Sequence, residues 1–142
     1  MNASTGTTLA ELIAVLTLVG VLTTLAAPRM LGSVDRWVVR EAREELVALL
    51  YEARMEARLK GEATVRLESG GGAEMESAHG RTGRRWDPSV QGLEIEVAGT
   101  RDEAEIRFGP TGLGRFANAT ILVRRGRVEE RLVISSYGRV RR

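Results

Sequence analysis

The stretch TGTTLAELIAVLTLVG, residues 5–20, decides the fold. It is apolar apart from its threonines and one carboxylate, Glu11, and the apolar run continues to Ala27 before Pro28. At ~1.5 Å per residue, residues 7–27 form a helix about 30 Å long, the thickness of a bilayer's hydrocarbon core. Its polar positions are Thr7, Thr8, Glu11, Thr17, Thr23 and Thr24, and a threonine hydroxyl can return to the backbone of the preceding turn. The run reads as a membrane span. A cleaved secretory signal is the competing reading, but the leader MNASTG has no Lys or Arg and Pro28 stands where a cleavage site would lie.

An acid in hydrocarbon is costly, less so near a helix end, where Glu11 could be tolerated without a function, but intramembrane acids tend to have a partner, which must be a cation. Residues 1–28 contain no basic side chain, so the only available cation is an α-amino group. A cut after Gly6 would place that amine on Thr7, one helical turn from Glu11. In a neighbouring copy shifted by about a turn, it would meet this Glu11 and set the register between subunits.

Beyond Pro28 the pattern becomes one-sided. Val34, Trp37, Val38, Ala42, Leu46, Leu49 or Leu50, Ala53 and Ala57 form an apolar stripe, with Trp37 expected in the core. Arg58 and Lys60 suit the helix C-terminus, and Gly61 supplies a stop. Pro28 and Gly32 can interrupt the join; if they do not, one helix of about 80 Å runs to Lys60. From Ala63 the period falls to two. Strands are expected at 63–68, 93–98, 104–108, 119–125 and 128–135, with a short YGRVRR ending. Gly- and Pro-bearing loops, GGG at 70–72, GRTG at 80–83, DPS at 87–89 and GPTGLG at 109–114, separate them. Connections this short join antiparallel strands. The expected fold class is α+β: a long N-terminal helix, membrane-spanning in its first half, packed on antiparallel sheet. The expected segments are a leader (1–6), a transmembrane assembly helix (7–28), an amphipathic continuation (29–61) and an antiparallel β domain (62–142).

The 142 residues suffice for one ordinary domain, and 28% charged with 43% apolar residues are globular values. Without cysteine there is no disulfide, thiolate metal site or cysteine nucleophile, and the single His79 cannot build a multi-histidine site. Glu94 and Glu96 alternate with apolar residues and read as a solvated strand face. GPTGLG lacks the lysine of a phosphate-binding loop. Asn118-Ala119-Thr120 matches a glycosylation acceptor, a common accidental tripeptide. No catalytic set, metal site or cofactor motif emerges, and no enzyme is expected. Charge is uneven: residues 107–142 carry nine arginines and two acids, a balance of +7, against −5 in residues 1–106. Arg139 and Arg141 alternate along an extended segment, Arg142 adds charge at the end, and Arg124 and Arg125 lie close in sequence. Such a cluster suits phosphate oxygens; a charged edge strand that resists aggregation is the plainer reading.

The N-terminus, with Gly6, Glu11, Gly20 and Pro28 in place, resembles that of type IV prepilins. IRFGPTGLGRF (106–116) and the closing strands, with Phe108, Pro110, Gly112, Gly138 and Arg139, are similar to the C-terminal half of the GspH/FimT family. The resemblance implies a minor pseudopilin or minor pilin of a type II secretion system or type IV pilus, without cofactors. It implies cleavage after Gly6 by a prepilin peptidase, methylation of the new amine on Thr7, and assembly guided by Glu11. The implied partners are other pilin or pseudopilin subunits and the inner membrane, crossed once, with the C-terminal domain in the periplasm or an extracellular filament. Arg29, Arg36 and Arg40, counted alone, would place that domain in the cytoplasm. The Gly-Arg-x-Arg ending also resembles that of FimT-type minor pilins that bind DNA during uptake, which makes DNA the alternative partner of Arg124, Arg125, Arg139, Arg141 and Arg142.

Overall fold

The computed structural model describes residues 8–78, 82–99, 102–115 and 117–141. Two compact units divide between Val34 and Asp35. Helix α1, Leu9–Lys60, contributes to both.

In the first unit, Thr8 opens α1: its Oγ1 accepts a hydrogen bond from the Glu11 N–H at 3.3 Å. Thr-x-x-Glu is the pattern of a capping box, and an acid in the first turn also suits the helix dipole. Thr17, Thr23 and Thr24 donate their hydroxyls to the carbonyls of Ile13, Val19 and Val21 at 2.7–2.8 Å, as the sequence led us to expect. Every side chain from Thr8 to Leu25 is exposed. Among the described residues no helix is long and apolar enough to cross a membrane. The side chains described in this part of α1 extend only to Leu25, short of the end of the apolar run at Ala27.

In the second unit, two antiparallel sheets pack on α1. One has the order β3-β2-β1-β5-β6, from Thr82–Trp86 (β3), Ala73–Ser77 (β2), Ala63–Glu68 (β1), Glu103–Phe108 (β5) and Gly114–Arg115 (β6). The other has the order β4-β7-β8-β9, from Glu94–Val97 (β4), Ala119–Arg125 (β7), Val128–Ile134 (β8) and Val140–Arg141 (β9). The apolar stripe of α1 supplies Val39, Ala42, Leu46, Leu49, Leu50, Ala53 and Ala57 to the core. The three alanines let strands approach the helix closely, and each fully buried leucine stabilises the unit by about 1.5–3 kcal/mol. From the sheets come Val65, Leu67, Ile106, Phe108, Ile121, Val123, Leu132 and Ile134, at every second position, as a half-buried strand requires. Gly61 ends the helix at φ 97°, a conformation that favours glycine. Polar bonds brace the packing: Arg43 reaches Glu130 of β8 at 2.8 Å, and Trp86 Nε1 donates to Glu45 at 2.7 Å.

Three expectations need correction. Trp37 is 64% exposed and Val34 52% exposed, so the buried stripe of α1 begins at the expected Val38, and Val39 takes the core place expected of Trp37. Strands β2 and β3 occupy a region read only as loops, and Thr82 and Gly83 belong to β3, not to a turn. A one-turn 3-10 helix, Pro88–Gln91, follows them; Asp87 caps it by accepting from the Ser89 N–H at 3.0 Å. The hydrogen bonds from Ser89 hold the Asp87 carboxyl below its ordinary range. His79 lies outside the described residues.

Candidate functional site

Two places collect the residues singled out above. The first is the start of α1. Glu11 lies exposed in its first turn, and no cation of a described residue pairs with it. Gly6 and Thr7 lie outside the described residues.

The second is the outer face of the sheet β4-β7-β8-β9. Antiparallel pairing sets Glu94, Arg124 and Glu129 in one row across three strands. Arg124 bonds Glu96 and Glu129, both at 2.5 Å. The hydrogen bond to Glu129, joined by its charge, holds Arg124 further up than an ordinary arginine. Arg125 lies on the other side of β7, the side of Ile121 and Val123, and pairs with Asp35 of α1 at 3.3 Å. These two arginines are therefore matched by carboxylates, and the structure does not bring them into the same set as the tail.

What remains unmatched is a different trio. Arg141 sits opposite Val133 in the β8–β9 ladder, and Arg131 stands two residues before Val133, on the same outward side. Arg139 precedes Arg141 by two residues; its N–H donates to Ser135 Oγ at 3.0 Å and its carbonyl accepts from the Ser135 N–H at 2.9 Å. All three side chains are exposed, and none has a carboxylate partner among the described residues. Arg142 lies outside the described residues. Arg131 was missed by sequence reasoning, although setting VEERLVIS in register against RVR would have found it.

Beneath this face, Phe108, Gly112 and Gly138 meet around Arg54. The Arg54 guanidinium carbon lies 5.4 Å from the centre of the Tyr51 ring and 5.6 Å from that of Phe108. Its Nη2 donates to the Gly138 carbonyl. Gly112, at φ 73°, packs on Arg54 and Arg58, and its N–H closes the turn onto Gly109 at 2.8 Å. Pro110, inside that turn, is exposed. No group of three or more metal-ligating side chains occurs among the described residues.

A long helix carrying antiparallel sheet is the pilin architecture. The structure is similar to the crystal structure of the type IV minor pilin FimU of Pseudomonas aeruginosa. The TM-score is 0.55 at 20% identity, over 72% of this chain and 90% of that one. The family Type II transport protein GspH matches residues 42–138, and the chain belongs to it. It is thereby a subunit of the minor pilin and pseudopilin kind. No curated protein sequence matches.

Proposed function

We propose that the chain is a minor subunit of a type II secretion pseudopilus or type IV pilus, cut after Gly6 and assembled through its N-terminal helix. Residues 7–28 anchor it once in the inner membrane, and the β domain faces the periplasm or a filament's exterior. Its role is structural, not enzymatic. The observation that carries this reading is the start of α1: an apolar helix with exposed side chains, threonines that satisfy their own hydroxyls, and one acid with no cation among the described residues. In hydrocarbon those threonines cost little, whereas the acid needs a partner from another molecule.

Co-expression with a prepilin peptidase and mass spectrometry of the mature chain tests the reading. Thr7 is expected as the first residue; an uncut chain, or one cut near Ala27, would contradict it. Glu11 also sits at the third helical position, where its carboxylate favours the helix start by about 0.3–1 kcal/mol. The Glu11→Gln variant separates the two roles, because it keeps a polar group at the cap and removes the charge. Glu11→Gln and Glu11→Ala are both expected to insert in the membrane and fail to enter filaments. Normal incorporation of Glu11→Gln would remove the ion pair between subunits.

A second reading is favoured by the unmatched trio. The guanidinium groups of Arg131, Arg139 and Arg141, on one face and without a carboxylate partner among the described residues, suit the phosphate backbone of DNA, and Arg142 follows them in sequence. Three such contacts on a duplex predict that log K falls with log salt at a slope of about −3, with little sequence preference. Binding by the full chain in detergent micelles, measured from low to moderate salt, checks the slope. Lack of any salt-dependent shift sinks the reading. Arg124→Ala, which removes an arginine already held by two carboxylates, should leave the slope unchanged.

A further inference from the structure

We propose that Arg54 is the positioning residue of the arginine face: it holds the turn before Arg139, so that Arg139 and Arg141 stand fixed beside Arg131. This rests on the reading of that face as an anion-binding surface.

Strand β9 is two residues long, and its ladder with β8 consists of Val133 opposite Arg141 and Ile134 opposite Val140. So short a ladder frays unless its entry is held. The entry is the turn 135–138, closed by the Gly138 N–H donating to the Ser135 carbonyl at 2.7 Å. That turn is tied down from below at four points, the weakest being the Ala117 N–H donating to the Ser136 carbonyl at 3.4 Å. Gly114 N–H donates to the Tyr137 carbonyl at 3.0 Å. Gly138, at φ 74°, lies so near Phe108 that a Cβ would stand 2.7 Å from Cε1 of its ring. Arg54 donates to the Gly138 carbonyl, the last backbone acceptor before Arg139.

Of the four ties, the one from Arg54 reaches the turn through the long side chain of a residue on α1. Its guanidinium lies near two aromatic rings, Tyr51 one turn back on α1 and Phe108 at the end of β5. Its Nε is buried without a hydrogen-bond partner among the described residues. A guanidinium placed for its own solvation would not leave that N–H unmet. The placement makes sense as a rigid arm that spans from α1 to the carbonyl of Gly138. A prearranged set of cations binds a polyanion more tightly than the same cations on a frayed end, because less ordering remains to be done on binding. Arg54 thus acts on the anion only through residues 138–141.

The test uses the full chain in detergent, as Arg54→Met, Arg54→Lys and the Arg139→Ala/Arg141→Ala double variant. Hydrogen exchange by mass spectrometry or NMR reads the turn, and binding of duplex DNA reads the face. In Arg54→Met, amides 138–141 should exchange at least about tenfold faster, while those of β7 and β8 stay within about twofold of the parent. DNA affinity should fall about tenfold with the salt slope preserved, since the cations that meet phosphate are still present. Arg54→Lys retains a cation and a donor, and should recover most of both. Unchanged exchange at 138–141 in Arg54→Met overturns the proposal. So does equal acceleration throughout β7 and β8, which would make Arg54 a general packing residue. If the double variant binds DNA as the parent does, the anion-binding reading falls and takes the positioning role with it. If the double variant loses binding while 138–141 stay protected in Arg54→Met, Arg54 alone is overturned.

Discussion

Phe108→Ala is expected to destabilise the second unit by about 3–5 kcal/mol, a large part of the 5–15 kcal/mol that holds an ordinary domain folded. The ring is 1% exposed and closes the end of β5, where its backbone pairs with Ala63 on one side and Gly114 on the other. Those neighbours, with Gly138 against the ring edge, carry a methyl group or nothing. None of these three has a side chain that can rotate into the space left by the ring, so the lost packing is recovered only in part. The Arg54 guanidinium would also lose one of the two rings near it. Urea unfolding of the chain in detergent can follow Trp86, which is buried, against the exposed Trp37, whose emission changes little. A loss below about 1 kcal/mol would mean that the ring does not fill this space.

The parts of the fold legible in the sequence are those whose signal is local. ATVRLE alternates strictly, and β1 begins and ends where that alternation does; ATILVRR, rich in β-branched residues, coincides with β7. Gly61 was legible as a stop because the chain needs a positive φ there. Strands β2 and β3 were not legible, because their inward residues are Ala73, Met75, Ser77 and Trp86, only two of them large and apolar. β2 is a strand because β1 offers it an edge, with Leu67 opposite Ala73 and Val65 opposite Met75, and β3 adds to β2 in turn, with Trp86 opposite Ala73; each template lies outside the strand's own sequence. Trp37 illustrates the limit of a stripe. One position along a helix is about 100° around it, and Val38 and Val39 take the buried side. At the arginine face the charges were legible but their partners were not. Nothing adjacent in sequence shows that Glu96 and Glu129 converge on Arg124, or that Asp35 meets Arg125. Cross-strand register, not charge density, decides which guanidinium groups stay free.

That register depends on a junction where two backbones nearly touch, and Gly114→Ala is expected to break it. A Cβ on Gly114 would stand 2.7 Å from the Gly138 nitrogen and 2.9 Å from its Cα. Both obstacles are backbone atoms, so no rotamer change relieves the clash and one strand must move. Movement stretches the bond from the Gly114 N–H to the Tyr137 carbonyl and displaces the carbonyl that Arg54 holds. Overpacking of this kind costs about 1–3 kcal/mol and a lost hydrogen bond about 1 more, so a loss of about 2–4 kcal/mol is expected from one methyl group. Gly20→Ala makes the contrast: nothing lies within 4 Å of its Cβ position, and in a helix alanine is favoured over glycine by about 0.5–1 kcal/mol. Thermal unfolding of the two variants should therefore move in opposite directions or leave Gly20→Ala unchanged. Gly114→Ala should also speed exchange of amides 138–141 beyond its global effect, because the methyl group pushes on the turn that leads into β9. A Gly114→Ala chain as stable as its parent would mean the two backbones do not meet there, and the arginine face would then have no rigid floor beneath it.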